Sequence, residues 1–120
     1  MIKRDNVRVC VPRYLQIGKG SLNELPEIIK ILGSINSLLI VTDKQMVKFG
    51  YVKKLQEVLS KEGIKSDVFD DTVPDPTDTV VLNGINFLKK FKNDAVIGFG
   101  GGSPIDTAKA IAAMAKYSKN

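Results

Sequence analysis

Hydrophobic residues recur along the chain with two periods, two and about 3.6, and the two alternate. Val7, Val9 and Val11 alternate with Arg8 and Cys10, the pattern of a half-buried strand. Pro12-Arg13 breaks it, and Tyr14–Ile17 returns as a second short strand, which predicts a short N-terminal β-hairpin. Gly18-Lys19-Gly20 reads as a turn. Ser21 and Glu24 then have capping-box spacing for a helix to about Leu32; Pro26 is tolerable only in a first turn, so Asn23 is the alternative start. Gly33 is a suitable stop. Ser37–Thr42 is a continuous apolar strand centred on Leu38-Leu39-Ile40-Val41, as expected of a parallel strand buried on both faces. A helical stretch from about Gln45 to Glu62 carries Val52, Leu55 and Leu59 as its stripe, with Gly50 dividing it and Gly63 closing it. Ile64–Asp70 is another strand, and Val73–Thr77 a loop stiffened by two prolines. A helix from Thr77 or Asp78 then presents Val80, Val81, Gly84, Ile85, Phe87, Leu88 and Phe91 on one wide face. Ala95–Phe99 is the last strand and Ser103–Lys116 the last helix.

Strands alternating with helices predict a Rossmann-like α/β fold: a parallel sheet with right-handed crossovers, helices on both faces, and the hairpin at its start. In such sheets ligands bind at the carboxyl ends of the strands. Thr42-Asp43-Lys44, Val73–Thr77 and Gly100–Ser103 all lie at those ends and are therefore expected on one rim.

Composition narrows the chemistry. The 120 residues are 43% hydrophobic and 26% charged, the balance of one ordinary globular domain. No apolar run approaches the roughly 18 residues of a membrane helix, and the N-terminus lacks the apolar core of a signal peptide. The net charge of +5 comes from lysines spread among acids along helical stretches, with no basic–aromatic strip, so no nucleic acid and no membrane is expected as partner. Cys10 is the only cysteine, which excludes an internal disulfide and points to a reducing, cytoplasmic setting. Histidine is absent, which removes the commonest metal ligand and the commonest general base.

The segment after the last strand is the richest in chemistry. Glycines at 100, 101 and 102 let a ligand approach the main chain, and the N–H groups of the following helix start attract a phosphate. Ser103 suits the N-cap, Pro104 the first helical position, and Asp106 completes a capping-box-like pair. A tight turn with a good cap and no ligand would use the same residues. The stretch departs from the usual dinucleotide fingerprint, because Ser103 stands where a third motif glycine belongs. Asp43 can accept hydrogen bonds from ribose hydroxyls and disfavour a 2′-phosphate, or it can simply cap the helix after it. Asp75, between two prolines, is either a rim contact or part of a stiff connection. Asp106 and Lys109 have the spacing of an ordinary ion pair.

Taken in order, these pieces resemble the iron-containing (group III) alcohol dehydrogenases. Gly18–Leu25 looks like an early family segment, Ile40–Lys44 is similar to the first nucleotide-side strand, and Val73–Thr77 resembles the Pro-Asn/Asp-Pro-Thr loop. Gly100–Lys109 matches the Gly-Gly-Gly-Ser-x-x-Asp-x-Ala-Lys signature at every fixed position. The resemblance implies that residues 1–120 are the NAD(P)-binding α/β domain, of the dehydroquinate synthase-like type, in an enzyme transferring hydride between an alcohol and its aldehyde or ketone. It implies that Asp43 contacts the adenosine ribose and favours NAD over NADP. It further implies that Gly101, Gly102 and Ser103 hold the pyrophosphate, that Asp75 lies on the adenine side, and that Asp106 lies towards the nicotinamide. The family's Fe2+ or Zn2+ is expected only in a C-terminal helical domain absent from this chain, so the segment is expected to be a cut-short enzyme and silent alone. A small alcohol or aldehyde is the implied substrate, and a homodimer through the N-terminal strands the implied assembly. Two alternatives stay open: a non-catalytic dinucleotide-binding or dimerisation module, and a glycerol dehydrogenase-like sister family.

Overall fold

The computed structural model describes residues 3–4, 7–10, 14–32, 35–72 and 77–117. Its strands are β1 (Lys3–Arg4), β2 (Val7–Cys10), β3 (Tyr14–Ile17), β4 (Ser37–Val41), β5 (Lys65–Phe69) and β6 (Ala95–Phe99). They form one sheet in the order β1-β2-β3-β6-β4-β5. The pairs β3–β6, β6–β4 and β4–β5 are parallel, while β1–β2 and β2–β3 are antiparallel. The expected hairpin is present, and β1 extends it by a strand that the hydrophobic pattern did not reveal.

The apolar run of β4 explains the architecture. Side chains alternate between the faces of a strand, and all five residues of β4 are buried, so both faces must be covered. Helices α1 (Leu25–Leu32), α2 (Lys44–Lys48), α3 (Tyr51–Lys61), α4 (Asp78–Lys90) and α5 (Gly102–Tyr117) provide the cover. On one face Leu38, Ile40, Ala95, Ile97 and Phe99 pack with Ile28 of α1 and with Val52, Leu55 and Leu59 of α3. On the other, Leu39, Val41 and Val96 pack with Val81 and Ile85 of α4 and with Ala108 and Ile111 of α5. The predicted stripe of α3 is the buried one. Phe87 of the predicted α4 face remains partly exposed, edge-on to Phe69 and Phe91.

Local signals were mostly read in the right place. Gly50 takes φ +83° between α2 and α3, and Gly63 takes φ +76° just past α3. The Thr77 hydroxyl accepts from the Val80 N–H and caps α4. The capping box at Ser21 and Glu24 is corrected. Residues Lys19–Glu24 form a 3-10 helix, and α1 starts only at Leu25. An α-helix begun at Ser21 would require Pro26 to donate a backbone N–H it lacks; instead the Leu25 N–H closes a tighter turn on the Leu22 carbonyl. The expected stop at Gly33, residue Val11 of the first strand and the break at Pro12-Arg13 lie outside the described residues.

Gly84, on the predicted apolar face of α4, marks a close helix contact. It lies in the interior of α4, where a Cβ would clash with Cδ1 of Ile111. An interior helical glycine that costs stability by itself is accounted for by this close approach of α4 to α5.

Candidate functional site

Strands β4 and β6 are neighbours, yet the helices that follow them leave in opposite directions. The chain after β4 enters α3 on the face of Leu38 and Ile40; the chain after β6 enters α5 on the face of Leu39 and Val41. The chain thus parts above the carboxyl ends of these two strands, a topological switch point of the kind where open α/β sheets bind ligands. Thr42-Asp43 forms one lip of this crevice and Gly100–Ser103 the other.

The lips are in contact at their base. The Thr42 hydroxyl, fully buried, donates to the Phe99 carbonyl at 2.8 Å. Gly100 has φ +129°, a conformation essentially reserved for glycine. A Cβ there would lie 3.3 Å from Cγ of both Met46 and Pro104 and 3.6 Å from Oδ2 of Asp43. The starts of α2 and α5 therefore close over Gly100, which needs to be glycine for the fold alone.

Gly101 and Gly102 differ from it. Neither has positive φ, both are exposed, and a Cβ on either meets nothing among the described residues within 4 Å. Helix α5 begins at Gly102, not at Ser103, and the Ile105 N–H donates to the Gly101 carbonyl at 3.3 Å. Ser103 is therefore the second helical residue and not the N-cap, and Asp106 lies beyond the first turn, so the capping-box reading of this pair is corrected. The reason is the backbone of the loop: Gly101 already supplies the carbonyl that accepts the first helical bond, a role that defines the cap position. Pro104 contributes no N–H, and the first N–H groups of any helix lack an acceptor within it, so those of Gly102 and Ser103 are directed outwards. This is the electropositive end of the helix, where an anion is favoured.

Asp43, half-buried, caps α2: its Oδ1 accepts from the Met46 N–H at 2.8 Å. The capping reading is thus realised, and Oδ2 is left facing Gly100. Lys44 turns away to Asp70 and Asp71, at 3.2 and 3.1 Å. Hydrogen bonds to Asp71 and then Asp70 hold its ammonium pKa above the ordinary lysine value. Asp106 and Lys109 are both exposed and make no ion pair with each other. Asp75 lies outside the described residues. The crevice thus brings together Asp43, Gly101, Gly102 and Ser103, whereas Asp106 stands a turn further along α5. Thr42 and Thr72, which tie the rim together, were not singled out from the sequence; a threonine closing an apolar strand carries no distinctive signal. Among the described residues no cluster of three or more metal-ligating side chains occurs, and no helix is long and apolar enough to cross a membrane.

A family profile described as iron-containing alcohol dehydrogenase matches residues 12–120. An NADPH-dependent butanol dehydrogenase of Clostridium saccharobutylicum is 36% identical over 105 residues, covering 88% of this chain and 26% of that protein. Lactaldehyde reductase of Escherichia coli is 38% identical over 104 residues, covering 87% and 27%. The solved structure of an NADH-dependent butanol dehydrogenase from Thermotoga maritima superposes with a TM-score of 0.72 at 29% identity, covering 96% of this chain and 27% of that one. The chain spans about a quarter of the length of the curated relatives it matches.

Proposed function

The chain belongs to the iron-containing alcohol dehydrogenase family, and we propose that it forms the part of such an enzyme that binds the adenosine and pyrophosphate of a nicotinamide dinucleotide. The observation that carries this reading is the pair Gly101–Gly102. The fold requires glycine at 100 but not at these two exposed positions. What bare backbone provides there is room for a ligand against outward-pointing N–H groups, which fits a pyrophosphate. Gly101, Gly102 and Ser103 hold that group in the proposed site. Asp43 receives the adenosine ribose on its free carboxylate oxygen and Asp106 lies towards the nicotinamide, while the adenine-side role of Asp75 rests on the family resemblance alone.

NAD is preferred to NADP in this reading. The rim beside Asp43 carries Asp70 and Asp71, and the nearby Lys44 is engaged by both of them. Among the described residues of that lip, a 2′-phosphate would face carboxylates whose neighbouring cation, Lys44, is already engaged. The whole enzyme transfers hydride between an alcohol and its aldehyde or ketone. Its Fe2+ or Zn2+, which would polarise the substrate oxygen, is assigned in this reading to a part of the enzyme other than residues 1–120. Residues 1–120 serve as the cofactor domain, in the cytoplasm, and two copies pair through the N-terminal strands, where β1 forms an edge of the sheet.

Calorimetric titration of the chain with NAD and NADP tests the reading. NAD binds more tightly than NADP, and Gly102→Val removes binding while the chain stays folded by circular dichroism, because the new side chain occupies the phosphate position. No heat with either nucleotide at millimolar concentration, or undiminished binding by Gly102→Val, overturns it.

A further inference from the structure

The regular pairing of β4 with β6 stops before the rim: its last register pair is Val41 with Gly98. One residue further on, Thr42 and Phe99 hold only to their outer neighbours, Thr42 through its N–H on the Phe69 carbonyl and Phe99 in register with Ile17 of β3. What joins them there is a side chain, the Thr42 hydroxyl on the Phe99 carbonyl. Every polar group of Thr42 is engaged: its N–H donates to the Phe69 carbonyl at 2.9 Å, its carbonyl accepts the Thr72 hydroxyl at 2.7 Å, and its own hydroxyl reaches Phe99. A β-branched side chain has little χ1 freedom, and a hydrogen bond in a buried setting is strengthened by its surroundings. Asp43 follows Thr42 directly, and Gly100 follows Phe99.

We infer that Thr42 is a positioning residue: its hydroxyl sets the separation of the two lips of the crevice, and so the span between Asp43 and the Gly101–Ser103 amides. This rests on the dinucleotide reading proposed above. A ligand that bridges both lips needs the span; one that sits only on the start of α5 does not. Removing the hydroxyl therefore weakens the first kind of ligand and spares the second. A general loss of structure would weaken both.

The test is an amide chemical-shift titration of the chain with NAD and, separately, inorganic pyrophosphate. Thr42→Val, nearly the same shape but without the donor, lowers NAD affinity about ten-fold and leaves pyrophosphate affinity at the Gly101–Ser103 amides unchanged. Thr42→Ser, which keeps the donor, restores NAD binding. If Thr42→Val does not fold, Thr72→Val removes the outer bond of the brace and lowers NAD affinity about three-fold, again sparing pyrophosphate. NAD binding that the valine variants leave unchanged, or equal losses for both ligands, overturns the positioning role alone. A wild-type chain that shows no NAD shifts overturns the dinucleotide reading, and the positioning role with it.

Discussion

The two ends of the sheet treat their polar groups in opposite ways. At the amino end of β4 and β6, side chains close the structure. The Asp94 carboxylate accepts from the N–H groups of Asn36 and Ser37 at 2.8 and 3.1 Å. The Asn93 amide donates to the Ser37 hydroxyl and to Asp67, leaving its own Oδ1 without a partner among the described residues. The exit of α4 is closed as well: the Lys92 N–H donates to the Lys89 carbonyl and the Asn93 N–H to the Leu88 carbonyl, with Lys92 at φ +53°. This is a Schellman motif with lysine where glycine is usual. At the carboxyl end only the base is closed, by Thr42, Thr72 and the capping oxygen of Asp43. Above it, the helix start at Gly102 and Ser103 keeps N–H groups directed outwards beside two glycines that no packing demands. Backbone groups satisfied by the protein itself serve stability; groups left available beside two glycines without packing neighbours among the described residues fit the phosphate site proposed above.

This contrast separates variants that change stability from variants that change binding. The largest expected effect is at Gly100→Ala. A side chain at φ +129°, pressed against Met46 and Pro104, destabilises the chain by about 1–3 kcal/mol, and because Gly100 forms the base of the crevice, NAD affinity falls too. Urea unfolding with parallel titration measures both; unchanged stability would mean that the loop does not need glycine at 100. Asp94→Ala follows, at about 1–2 kcal/mol for two N–H groups deprived of their acceptor, with NAD affinity of the folded chain unchanged. A loss of affinity there would break the division between the ends. Smallest is Lys92→Gly, which relieves the left-handed strain and stabilises by about 0.5–1 kcal/mol, again without touching NAD binding. A lower melting temperature for this variant would show that the Lys92 side chain contributes something the backbone argument omits.

Reading the sequence succeeded where a residue's role is set by its neighbours along the chain. Gly50, Gly63 and Thr77 terminate or cap helices by local geometry, and all three were legible. The alternation of buried strands with amphipathic helices sufficed for the fold class, and the Gly100–Lys109 signature for the family. The failures were also local at first sight. Ser103 satisfies every composition rule for an N-cap, yet Gly101 takes that position. Its neighbour Gly100 lies at φ +129°, where a Cβ would press on Met46 and Pro104, one of them more than fifty residues away in sequence. Asp43 allowed two readings that sequence could not divide, and the fold uses one oxygen for the cap while leaving the other towards the crevice.

Sequence by itself therefore determined most of the elements, though not β1 or the starts of α1 and α5, together with the parallel sheet covered on both faces, the rim that carries Asp43 and the glycines, and the family. Those depend on periodicity, backbone propensity and short spacing, all properties of contiguous residues. Only the tertiary structure decided which glycines the fold consumes and which it leaves free, that Gly84 exists to admit Ile111, and that Thr42 joins strands which have stopped pairing. Each of these depends on an atom brought close by the folding of the sheet from residues far apart in the chain, and no local pattern encodes such a distance.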